Sequence, residues 1–208
     1  MKALVLLVLL LSQFQPSYAG YIAWAVVENS AVYEVLKVYE REFKYWASET
    51  LLWEVANYKE TILTYYNLLY DAILHNELED AAKYCGVLAV LLLKAKGYNE
   101  ASGESLMLVV QILDWDKVKL LDLLPEEIID EWLLYEADTP EDFLYAYASV
   151  LLSLLDKMPV NAFVRVMHTP LIREMYVVSL ALIIAASTFF VYKRAKREVV
   201  KPEIEAPP

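Results

Sequence analysis

The stretch Gly86–Gly97, "GVLAVLLLKAKG", decides how the chain is read. Its apolar run, Val87 to Leu93, rises only about 10 Å as a helix, roughly a third of the hydrocarbon thickness of a bilayer. The run is too short to cross a membrane and reads instead as a core helix. Upstream, "HNELEDAA" supplies a tight polar connection, and downstream Gly97 suits the left-handed position at which helices stop. The segment before it, Tyr58 to His75, places Glu60, Thr64, Asn67, Asp71 and His75 on one face and Ile62, Tyr65, Leu69 and Ile73 on the other. That is the period of an amphipathic helix of about five turns. The two segments form an antiparallel helical hairpin, and the lack of a second copy at a fixed period argues against a solenoid.

The same three-to-four residue period runs through the rest of the body, and glycine occurs only at positions 20, 86, 97 and 103. The fold class expected is all-α: a single extracytoplasmic helical bundle followed by one C-terminal transmembrane helix. Asn29 or Ser30 is placed to cap a first helix reaching about Trp46, with a second short segment around Leu51 to Val55. "SLMLVVQILDWDKVKLL" reads as helical throughout. "LPEEIIDEWLLYEA" begins with Pro125 and acids in the first turn, where both are favoured. Thr139 is the clearest cap, followed by Pro140 and by Asp142 in the place of a capping-box acid. Pro159 ends that helix.

At the N-terminus, Lys2, the apolar run Ala3 to Leu11 and the small-x-small pair Ser17 and Ala19 have the form of a secretory signal peptide over residues 1–19, cut after Ala19. At the other end, Met175 to Tyr192 carries no charged side chain and is long enough to span a bilayer. Lys193, Arg194, Lys196 and Arg197 follow it, which by the positive-inside rule puts the C-terminus in the cytoplasm. The expected organisation is an extracytoplasmic domain over residues 20–170, a membrane helix over 171–194 opened by Pro170, and a short cytoplasmic tail over 195–208. The expected location is the cell membrane, single-pass, with the N-terminal domain outside. Ser179, Ala181, Ala185 and Ala186 give the span a small-residue packing face.

The chain has 29 acidic and 18 basic residues, a net charge of −11, with the acidic excess concentrated between the two termini. Such a surface repels a phosphate backbone, so a nucleic-acid partner is excluded. Cys85 is the single cysteine, so no intrachain disulfide exists and stability comes from packing. No asparagine begins an N-x-Ser/Thr sequon, and Gln111 is the only glutamine after the leader, a pattern that fits a prokaryotic source.

Chemistry-bearing residues are sparse. Asp71 and His75 share a helix face without companion ligands, and His168 stands shortly before the expected membrane boundary. Glu126, Glu127, Asp130 and Glu131 have the spacing of a solvated helix N-terminus more than of a calcium site. Cys85 lies in an apolar run with no histidine near it in sequence, and no serine stands in a G-x-S-x-G elbow. The chain contains sixteen tyrosines; Tyr65, Tyr66, Tyr70, Tyr145 and Tyr147 would form either core edges or an aromatic binding groove. No catalytic, cofactor-binding or metal-binding residue is assigned, and no cofactor is expected.

"YIAWAVVENSAVYEVL", "DAAKYCGVLAVLLLKA" and "EDFLYAYASVLLSLL" together resemble the layout of the all-helical zinc-dependent phospholipase C and single-strand nuclease family. That family pairs an N-terminal tryptophan with a histidine five residues on, and carries a Gly-x-x-x-His-x-x-x-Asp helix whose His and Asp bind zinc. Trp24 and Gly86 match. Asn29, Val90 and Lys94 stand where the three ligands would be, and a valine has no donor to offer. The resemblance thus implies a ligand-lacking member that keeps the scaffold. The function expected is a membrane-anchored, non-catalytic binding or scaffold protein with a protein partner in or at the membrane. Its rivals are a zinc phosphoesterase with unusual ligands and an accessory subunit of a membrane complex.

Overall fold

The computed structural model describes residues 17–160 and Thr188. Residues 1–16 of the expected leader, the expected span apart from Thr188, His168 and the expected tail lie outside the described residues. Every regular element among the described residues is helical, as the periodicity requires. The order is α1 (Tyr18–Val27), α2 (Tyr33–Leu36), α3 (Glu40–Thr50), α4 (Tyr58–Leu74), α5 (Leu78–Lys94), α6 (Glu100–Gln111), α7 (Pro125–Leu134) and α8 (Pro140–Asp156). Short 3₁₀ turns at Lys37–Tyr39 and Trp115–Lys117 join some of them. Among the described residues no helix is long and apolar enough to cross a membrane.

Helix α5 is the axis. Every residue from Cys85 to Leu93 is buried, which is how a helix that is apolar all round must sit. It packs most extensively on α3 and α4 and also meets α1, α2 and α8. Gly86 lets α3 come close: a Cβ there would lie 2.5 Å from the carbonyl oxygen of Phe43. Two α5 carbonyls also receive buried side-chain donors, the Trp132 indole on Leu92 at 2.9 Å and the Tyr147 hydroxyl on Ala89 at 3.1 Å. Helices α7 and α8 are thereby fixed in rotation as well as in position, because each donor must find one carbonyl.

The hairpin follows the sequence closely. Glu60, Thr64, Asn67, Asp71 and His75 are all exposed, while Ile62, Leu69 and Ile73 are buried. Asn57 caps α4 by accepting the Glu60 N–H at 3.2 Å. Asn76 turns the chain at φ 60°, and Gly97 ends α5 at φ 73°. Thr139 caps α8 through the Asp142 N–H at 3.1 Å, and its hydroxyl donates to the Asp142 carboxylate at 2.6 Å.

Three segments differ from the expectation, the shortest being Leu51 to Val55, which is a turn and not a second helix. The first long helix begins at Tyr18 rather than near Asn29, and α3 starts only at Glu40. The third difference is that α6 stops at Gln111. Beyond it the Asp114 carboxylate accepts the Asp116 N–H and turns the chain, after which an extended strap runs beside α8. The strap's N–H groups at Asp114, Lys119 and Leu121 donate to the hydroxyls of Tyr145, Ser149 and Ser153 at 3.2, 3.3 and 2.7 Å. Hydroxyls spaced by four on one helix face thus replace the missing helical acceptors, a competition that apolar periodicity does not reveal.

Candidate functional site

The positions that carry the zinc-enzyme resemblance fall into separate environments. Trp24 is buried, with its ring 5.0 Å from Phe43 in an edge-on contact, and Phe43 is also the residue whose carbonyl faces Gly86. Trp24 and Gly86 therefore share one packing neighbour. Asn29 is exposed just beyond α1, where its amide donates to the Ala25 carbonyl at 3.0 Å. Val90 is fully buried, between Ala89 and Leu91, which are also fully buried.

Lys94 reaches the C-terminal end of α3. Its ammonium donates to the carbonyls of Thr50, Leu51 and Trp53 at 3.1, 2.9 and 2.5 Å, which uses all three of its donors. A cation belongs there, because the end of a helix presents unpaired carbonyls and a negative dipole. Partial burial pulls the Lys94 pKa below the usual lysine value. This set does not fit zinc: it offers an amide on the surface, an alkyl group in the core and a committed cation.

The other candidate residues stay apart as well. The His75 Nδ1 lies 2.8 Å from the backbone carbonyl of Asp71, which can only accept, so that nitrogen carries the proton. The imidazole serves as a helix cap and is not joined to the Asp71 carboxylate by that bond. On α7, Glu127 accepts the Leu124 N–H at 2.9 Å, and Asp130 pairs with Lys59 of α4 at 2.6 Å. Cys85 is fully buried, and desolvation pushes its thiol pKa well up, which suppresses the reactive thiolate. Among the described residues no group of three or more His, Cys, Asp or Glu is gathered to hold a metal.

The five tyrosines considered for a groove do not converge. Tyr66 and Tyr147 are buried, the Tyr145 hydroxyl receives the strap, and Tyr70 is exposed on α4. Only Tyr65 joins an aromatic surface, in company that sequence spacing did not indicate. The Tyr65 ring stands 5.7 Å from Trp53 and 6.1 Å from Tyr84. The Lys83 ammonium then bridges from Tyr84, at 5.5 Å, to Trp46, at 4.5 Å, and Tyr45 meets Trp46 edge-on at 5.5 Å. This half-exposed ledge crosses α3, α4 and α5. Burial and neighbouring charge raise the Tyr65 and Tyr84 pKa values, so both rings remain neutral hydrogen-bonding phenols at physiological pH.

A cleft of about 350 Å³ lies near the far end of α5, lined in part by Lys96, Tyr98, Ser102, Thr139 and Phe143. The Lys96 ammonium donates to the carbonyls of Leu133 and Tyr135 at 2.9 and 2.5 Å and stands 5.5 Å from the Trp132 ring. Burial lowers its pKa and the Glu136 charge opposes that effect. Burial also raises the Tyr98 pKa, assisted by Glu100. The cleft therefore offers an ammonium and neutral hydroxyls at pH 7. No protein-family model, curated protein or solved structure matches this chain.

Proposed function

We propose that the chain is a non-catalytic binding or scaffold domain, held outside the cell at the membrane by its C-terminal apolar segment. The observation that carries this reading is the centre of α5. The place where an enzyme of the family that the sequence resembles would bind its metal holds the fully buried Val90 and the Lys94 ammonium, committed to three carbonyls. Replacing those carbonyls by a cation would leave two positive charges together in a partly desolvated place. The aromatic ledge around Trp46 and Tyr84 supports a recognition role, since half-exposed Trp and Tyr rings combine apolar area with hydrogen-bonding edges. The "KRAKR" run after Tyr192 supports the expected topology, with the domain outside and the tail in the cytoplasm.

Metal analysis of the purified full chain, combined with an assay on phosphodiesters, tests this reading against a phosphoesterase. The expected result is no stoichiometric metal and no hydrolysis. Stoichiometric zinc that is lost in Asp71→Ala or His75→Ala would overturn the proposal. An accessory role in a membrane complex is tested by crosslinking intact cells and isolating the chain through its tail. A partner whose capture weakens when Trp46 or Tyr84 is replaced by alanine would place recognition at the ledge.

A further inference from the structure

Ser17, Tyr18 and Ala19 are built into the helical domain. Ser17 caps α1 by accepting the Gly20 N–H at 3.2 Å, and its own N–H donates to the Ser48 hydroxyl oxygen on α3 at 2.9 Å. The two oxygens of the Glu100 carboxylate accept the N–H groups of Tyr18 and Ala19 at 3.1 and 3.4 Å. All four N–H groups that a helix start leaves without intrahelical partners, those of Ser17, Tyr18, Ala19 and Gly20, are satisfied in this way. Ala19 is fully buried. Gly103 on α6 makes room for the same segment: a Cβ there would lie 2.5 Å from the Tyr18 Cβ and 2.6 Å from the Tyr98 hydroxyl.

We infer that these three residues remain in the mature protein, so that any processing of the apolar leader acts upstream of Ser17 and spares the Ala19–Gly20 bond. Leader removal acts on the chain before it folds, so the Ser17-Tyr18-Ala19 pattern by itself would direct a cut after Ala19; what opposes it is what the folded domain would lose. In the fold the bond lies in the first turn of α1 between two buried residues, and is not presented as an extended segment. A cut there would discard the cap, take both N–H donors away from Glu100 and empty the place that Tyr18 fills against Gly103. Of the elements concerned, α1 packs extensively on both α3 and α6.

The test is the first residue of the mature protein. The full chain is expressed with its leader in a secreting host, purified from membranes, and read by N-terminal sequencing and intact mass. The expected start is Ser17 or a residue upstream of it; a start at Gly20 overturns the inference. A second measurement uses two chains that both run to Pro208, one beginning at Ser17 and one at Gly20. The first is expected to melt several degrees higher; equal melting temperatures would show that Ser17 to Ala19 add nothing to the folded domain and would overturn the structural ground of the inference.

Discussion

Gly86 has room for a hydrogen and for nothing larger. The atom that would meet an added Cβ is the Phe43 carbonyl oxygen, part of the α3 backbone, and a backbone cannot swing aside as a side chain can. Alanine gains about 1 kcal/mol of helix propensity over glycine, whereas overpacking costs about 1–3 kcal/mol. Gly86→Ala should therefore lower stability by up to about 2 kcal/mol in denaturant unfolding, and a stabilised variant would show that the two helices part easily. Tyr147 and Cys85 make a different prediction. Both are fully buried, and desolvation raises both pKa values in the folded state, so the folded chain holds these protons where the unfolded chain releases them. Stability is unaffected below pH 8 and falls as pH rises past the ordinary thiol and phenol values, near 9 and 10, with a slope of about 1.4 kcal/mol per pH unit for each group. Tyr147→Phe should flatten the upper part of that fall while losing about 1 kcal/mol at neutral pH with its hydrogen bond to Ala89. The sequence made Val90 legible as core, because it stands inside an unbroken apolar run. It did not make Lys94 legible, because its three partners are carbonyls of a turn more than forty residues away.

Among the elements, α4, α5 and α8 could be read from the chain because local rules and tertiary packing agree there. Thr139 caps α8 as its spacing required, and Thr139→Ala should cost about 1 kcal/mol, measured by thermal unfolding. Residues 112–124 could not be read, because their fate depends on hydroxyls of a helix that comes later in the chain. Ser153 is the sharpest instance: it is buried and its oxygen accepts the Leu121 N–H at 2.7 Å. Ser153→Ala should leave the fold of α8 intact and speed amide exchange at Leu121. Unchanged exchange at Leu121 would mean that the strap is held by its apolar side chains alone. The start of α1 was missed for a related reason. Asn29 and Ser30 have the chemistry of caps, but Ser17 holds a cap position too, and only the contacts of Tyr18 and Ala19 with Glu100 decide between them.

The whole molecule is strongly acidic, with a net charge of −11, while the described ion pairs are few and largely exposed. Exposed pairs contribute about 0–1 kcal/mol each, so mutual repulsion of carboxylates is the larger electrostatic effect. Raising the salt from a few millimolar to physiological strength should therefore raise the melting temperature. A fall would indicate that the ion pairs dominate. Periodicity foretold the helical class and composition the acidic charge, but neither foretold the ledge, because Trp46, Trp53, Tyr65, Lys83 and Tyr84 come from three helices and a turn with no common period. The hydrogen bonds at the start of α1 also bear on the order of events when the chain folds. The α4–α5 hairpin closes through contacts between sequence neighbours, which form fast. Of the described helices α1 is made first on the ribosome, yet its leading N–H groups must wait for a carboxylate 82 residues further on. The earliest of the described helices is thus among the last to be secured, and the rate at which Glu100 finds it sets how long the apolar face of α1 stays open to other company.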